Sequence, residues 1–136
     1  MGDGILASFG AVAPDPAYAA RALRAVDDIL QAVDAWRAQR IAAGLSASDV
    51  GGGLATGPVV FGIIGDGQRL EYTVIGDAVN LAAKLEKHNK VERTRALATA
   101  TAYDLARSQG YDAQRERREG RAVAGVSSST DLVVLG

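Results

Sequence analysis

The feature that most constrains the fold is a change of rhythm in the middle of the chain. Leu54 to Ile64 reads as a β segment with Gly57 and Gly62 inside it, and interior glycines of a strand mark a bulge or the close approach of another backbone. Asp66-Gly67 is a hairpin turn signal, and the return strand runs Arg69 to Ile75. Leu70, Tyr72 and Val74 fall on one face of it, Glu71, Thr73 and Ile75 on the other, because strand side chains alternate. Gly76-Asp77 then opens a helix with Asp77 as N-cap, reaching about Lys87. A hairpin that feeds straight into a helix requires a mixed architecture.

The flanks extend the pattern. Asp15-Pro16 before an Ala-rich stretch is a helix start, with Asp as N-cap and Pro at the first helical position. Leu23, Val26, Ile29, Leu30, Val33 and Trp36 make one apolar stripe at steps of three and four residues. Trp36 reads as a core or interface anchor, Arg24 and Asp28 as a solvent-side pair. Gly44 ends the helix near position 43. Gly51-Gly52-Gly53 leads into the central β segment. Arg95 to Thr99 is a short strand. Thr101 with Asp104 resembles a capping box for a third helix, stopped by Gly110. Tyr111 to Arg118 is a polar strand and Leu132 to Leu135 an apolar one, with Arg115 to Arg121 a solvated edge and turn. Ile5 to Phe9 also reads as a strand, just after a Gly-Asp-Gly turn, as though the chain began inside a hairpin. The order β, α, ββ, α, β, α, ββ implies an α+β sandwich with helices on one face of a largely antiparallel sheet.

Composition removes several function classes. The 136 residues suit one domain, spanning 1–136, large enough to need no disulfide or metal staple. Cysteine is absent, so there is neither a disulfide framework nor a thiolate metal site. Fifteen basic against sixteen acidic residues leave a net charge of -1, which gives no footprint for nucleic acid or anionic membrane. The apolar run Val59 to Ile64 is too short to span a bilayer, and the start lacks a signal-peptide pattern. The expected setting is cytoplasmic. An RNA-binding module, which an α+β sheet can be, would need a basic patch and stacking aromatics that are missing here.

Four residues stand out as candidates for chemistry. Asp3 lies in a Gly-Asp-Gly turn, either simply structural or a carboxylate offered to a hard cation such as Mg²⁺. Thr73 is either an ordinary β-branched strand residue or a polar contact. Asn80 and Lys84, four apart, share a helix face, either solvated or aimed together at a ribose oxygen and a phosphate. Asp77 reads as a cap, and His88, the single histidine, as solvated among charged neighbours.

The run Glu71-Tyr72-Thr73-Val74-Ile75-Gly76-Asp77-Ala78-Val79-Asn80-Leu81-Ala82-Ala83-Lys84-Leu85-Glu86 resembles the central signature of class III adenylate/guanylate cyclases. Gly57 to Gly65 is similar to the family's β segment before its dimerisation hairpin, Gly2 to Gly10 to its second metal-site motif, and Val123 to Leu135 to its closing strands. No Gly-Gly-Asp-Glu-Phe run of the related diguanylate cyclases is present. The resemblance implies a ferredoxin-like nucleotidyl cyclase sandwich, incomplete at the N-terminus.

By that resemblance, Asp3 matches the second of two aspartates that hold two divalent ions, Mg²⁺ or Mn²⁺. Thr73 matches the purine-reading position, with threonine as in bacterial adenylate cyclases. Asn80 matches the ribose-orienting asparagine. Lys84 matches the usual arginine that stabilises charge on the phosphates, keeping the charge without the planar fork. Ala124-Gly125 falls where some members have Lys-Gly, the lysine touching the terminal phosphates. The implied reaction is ATP to cyclic AMP and pyrophosphate by attack of the ribose 3′-hydroxyl, with GTP as the other candidate substrate. The implied assembly is a head-to-tail homodimer. The first metal aspartate and the base-reading lysine would precede Met1, so the alternative is a truncated, non-catalytic module that dimerises or binds nucleotide only.

Overall fold

The computed structural model describes residues 3–136, and the side chains of Arg69, Glu71 and Tyr72 are outside that description. Helix α1 spans Tyr18–Ala42 and strand β1 Gly52–Leu54. Strands β2 (Val60–Asp66) and β3 (Arg69–Ile75) lead into helix α2 (Asp77–Glu92). Then come β4 (Ala96–Thr99), α3 (Ala100–Ser108), β5 (Arg117–Arg121) and β6 (Thr130–Val134).

Two sheets result. The larger is four-stranded in the order β1-β4-β6-β5, with β1 parallel to β4 and the other pairs antiparallel. Parallel neighbours need a crossover connection, and here the crossover contains the β2–β3 ribbon and α2. The ribbon is a separate antiparallel pair with Gly62 opposite Thr73 and Gly65 opposite Leu70. Its turn is held by Gln68 N–H donating to Asp66 Oδ1 at 2.9 Å.

Helices cover both faces of the four-stranded sheet, which corrects the expected one-sided arrangement. Ala96 and Ala98 of β4 and Val133 of β6 pack with Leu23, Tyr103 and Ala106 of α1 and α3. The intervening Leu97 and Leu132 pack with Leu85 of α2 and with Val123. Strand alternation sends neighbours to opposite sides, so every residue of β4 is buried and its sequence shows no polar face. Leu85, Leu97 and Leu132 are fully buried, and each contributes about 1.5–3 kcal/mol of burial.

Several local expectations change. Residues 5–9 form no strand. The segment expected from Leu54 to Ile64 is two strands, β1 and β2, and the polar strand is Arg117–Arg121. Helix α1 starts later than Asp15-Pro16 implies: Ala17, not Asp15, is its N-cap, without a side-chain cap bond. Asp15 receives Ala17 N–H at 2.9 Å, and the free donors Ala19 and Ala20 N–H go to Gln109 Oε1, a side chain from beyond α3. Arg24 donates to Gly110 O at 2.9 Å. Trp36 is 45% exposed beneath the Arg40 guanidinium, 5.3 Å from its ring centre, and is no core anchor. The cap of α3 is Thr99, whose hydroxyl accepts from Ala102 N–H at 3.2 Å, two residues before the expected Thr101. The run Arg115 to Arg121 is paired as well as solvated: Arg115 binds Asp27, Arg117 binds Asp104, and Arg118 binds Glu92.

Helix α2 also runs past its expected end, because polar residues beyond Lys87 are buried. Asn89 Nδ2 donates to Gly52 O at 2.8 Å and to Glu86 O at 3.0 Å, and its Oδ1 accepts from Thr94. His88 is buried, not solvated, with Nε2 3.1 Å from Glu92 Oε1.

Candidate active site

The site is built on the passage from β3 into α2. A single residue, Gly76, separates the strand from the helix, so residues at the end of one and the start of the other are held as one unit. Thr73 is half-buried on β3. The space above its cross-strand neighbour Gly62 is open, with no atom within 4 Å of where a Cβ would stand. Asp77 is the first residue of α2 and not its cap: Gly76 holds that position, with no side-chain cap bond. Its carboxylate still lies where the helix dipole favours negative charge.

Asn80 and Lys84 lie four residues apart on α2 and share a face. Asn80 is exposed, its backbone N–H donating to Gly76 O at 3.2 Å. The Lys84 ammonium donates to the carbonyl of Gly125 at 2.6 Å. The helix beneath them is fixed by Leu81 and Leu85, which pack with Val123 and Val126, and by the approach of α2 to β1 at Gly53. The structure therefore brings Asn80 and Lys84 together and sets them just after the strand that carries Thr73.

Asp3 is on neither of these elements. It lies exposed in a turn before α1, and Gly2 of its motif lies outside the described residues. Among the described residues no group of three or more His, Cys, Asp or Glu side chains converges to hold an ion. A Mg²⁺ site takes several fixed oxygens, so one exposed carboxylate does not make the two-ion site. The residues present do not fit that site by themselves.

Sequence reasoning missed one participant, the Gly125 carbonyl that receives Lys84. The signal was present in Val123-Ala124-Gly125-Val126, a glycine between two valines in a tight turn, but a backbone acceptor leaves no residue-type trace of what it binds.

A two-faced α+β sheet, with an amide and an ammonium on the helix that follows a hairpin, has the layout of a nucleotidyl cyclase domain. The family profile described as "Adenylate and Guanylate cyclase catalytic domain" matches residues 1–130, and the chain belongs to that family. It is 35% identical over 98 residues to Adenylate cyclase 1 of Rhizobium meliloti, covering 72% of this chain and 15% of that one. The structure of the guanylyl cyclase Cya2 is similar at a TM-score of 0.82 and 29% identity, over 98% of this chain and 66% of that one. The adenylyl cyclase CyaB from P. aeruginosa shares the fold at a TM-score of 0.78 and 24% identity, over 93% of this chain and 63% of that one. The chain thus spans less than two thirds of each. Among the described residues no helix is long and apolar enough to cross a membrane.

Proposed function

We propose that this chain supplies the base-, ribose- and phosphate-contacting half of an adenylate cyclase site, serving the conversion of ATP to cyclic AMP and pyrophosphate. The observation that carries the reading is the pairing of Asn80 and Lys84 on one face of α2, directly after the strand of Thr73. The Thr73 hydroxyl donates one hydrogen bond and accepts others. That matches the adenine edge, which offers an N–H donor beside a ring acceptor. The guanine edge presents adjacent donors and suits a carboxylate better. The Asn80 amide orients the ribose, and the Lys84 ammonium offsets negative charge that develops on the phosphates as the 3′-hydroxyl attacks and pyrophosphate leaves.

The family chemistry uses two divalent ions, Mg²⁺ or Mn²⁺. Asp3 is the carboxylate we assign to them, and the remaining ligands come from outside the described residues. In a head-to-tail dimer, a partner subunit that carries the complete metal motif supplies the ion site, and this chain lends Thr73, Asn80 and Lys84 to it. That reading is supported by the ribose- and phosphate-contacting residues standing without a metal cluster beside them, and by the exposed apolar ribbon β2–β3.

The test is complementation. The chain is mixed with a full-length cyclase homologue carrying alanine at the positions matching Thr73, Asn80 and Lys84, and cyclic AMP is measured. Recovered activity, lost again when this chain carries Asn80→Ala, is the expected result. No recovery ends the catalytic reading. ATP binding without recovery favours a module that only dimerises or binds nucleotide, a reading that the lone Asp3 carboxylate supports.

A further inference from the structure

Lys84 does not hang free beside Asn80. Its acceptor, Gly125 O, belongs to the turn Val123–Val126, closed by Val126 N–H donating to Val123 O at 3.0 Å. Gly125 has φ +82°, while Ala124 is not among the residues of positive φ. This is the signature of a type II turn, whose third residue must be left-handed. Both shoulders of the turn are anchored. Val123 is buried with Leu85, and Val126 and Leu81 pack against the same cluster. Leu81 and Leu85 flank Lys84 in α2, so helix and turn are joined by apolar packing below and by the Lys84 bond above.

The close approach at Gly125 leaves a side chain crowded against Lys84. A Cβ there would stand 3.1 Å from Lys84 Cε and 3.5 Å from Nζ, so adding one requires the lysine to shift by a few tenths of an ångström. We infer that Gly125 is a positioning residue: its carbonyl takes one of the three ammonium donors of Lys84 and leaves the other two directed at a phosphate. A long flexible side chain loses rotamer freedom when it grips a ligand. Holding Lys84 at one donor beforehand removes much of that cost from binding. The inference rests on the reading of Lys84 as the phosphate-contacting residue.

The test titrates ATP, without metal, into the ¹⁵N-labelled chain and follows the amides of residues 80–85 by NMR. Wild type is expected to show shifts there. Gly125→Ala is expected to weaken ATP by about tenfold. Gly125→Asn keeps a residue type that tolerates the left-handed turn but retains the Cβ against Lys84, and is expected to weaken ATP as much. In a Lys84→Ala background neither change has a further effect. Wild-type affinity in the Asn variant shows that only turn strain mattered and overturns the inference, as does tighter binding in either variant or an effect that persists without Lys84. ATP that fails to shift Asn80 or Lys84 in wild type removes the active-site reading and this inference with it. Equal affinity in wild type and both Gly125 variants sinks the inference alone.

Discussion

Glu92, at the last turn of α2, gathers more charge than any solvated residue would. Its side chain is 8% exposed and lies 3.0 Å from Arg118 Nη1, 3.1 Å from His88 Nε2 and 3.5 Å from Arg121 Nε. Arg118 also holds Glu116, so two carboxylates, two guanidiniums and an imidazole face one another between α2 and β5. Burial alone would push the Glu92 carboxyl up, but the hydrogen bonds from Arg118 and His88 and the charge of Arg121 outweigh it and hold it below its usual range. A lowered folded value means that the stability Glu92 contributes is present above the unfolded value of 4.5. It is lost as pH falls through the lower folded value. Glu92→Gln is therefore expected to lower the urea midpoint at pH 7 by about 0.5–1 M. The gap to wild type should close as unfolding is measured at pH values stepped downward from 4.5. A gap that stays constant across that range would show that the cluster adds no pH-dependent stability.

At the scale of elements, the seating of α2 depends on one glycine. A Cβ on Gly53 would lie 2.1 Å from Ala82 O and 2.6 Å from Glu86 N, both backbone atoms that cannot rotate aside. Gly53→Ala is expected to destabilise the chain by about 1–3 kcal/mol in urea unfolding. Because α2 carries Asn80 and Lys84, the same change should weaken ATP binding; a variant as stable as wild type would refute the tight packing of α2 on β1. This contact explains what the sequence could and could not show. Gly51-Gly52-Gly53 reads as a flexible entry when no partner is in view, and only the helix laid across it reveals a packing requirement. The starts of α1 and α2 were legible to within one or two residues, because punctuation such as Asp15-Pro16 and Gly76-Asp77 is local, but the caps themselves are Ala17 and Gly76 and not the two aspartates. The end of α2 was not, because His88 and Asn89 look solvated and are buried by bonds to Glu92 and Gly52. Ile5 to Phe9 has strand composition, yet a strand exists only through its neighbour's hydrogen bonds, and no described strand pairs with it. For the candidate site, the four-residue spacing of Asn80 and Lys84 was readable, whereas the Gly125 carbonyl, forty-one positions on from Lys84, was not.

At the scale of the molecule, the β2–β3 ribbon demands an explanation. It belongs to no larger sheet, and a two-stranded hairpin is marginally stable in water by itself. It also exposes Val60, Ile63, Ile64, Leu70 and Ile75, each more than half exposed. Direct cross-strand neighbours share a face, so Val60 and Ile75 lie with Ile64 on one side, while Leu70 lies with Ile63 on the other. Apolar residues on both faces of a protruding ribbon suit insertion between surfaces of another chain, and left uncovered they are an aggregation hazard. The proposed head-to-tail dimer covers them with a second copy, and the same ribbon carries Thr73 to the interface. Replacing Ile63 and Ile64 together by lysine places a charge on each face. Each buried isoleucine is worth about 1.5–3 kcal/mol, so the double variant is expected to raise the dimer dissociation constant at least about a hundredfold. Sedimentation velocity across a concentration series reads that shift. The thermal midpoint of the dilute, monomeric chain should stay near wild type, because the two side chains are already exposed there. A wild type that sediments as a monomer at every concentration would remove the dimer from the proposal.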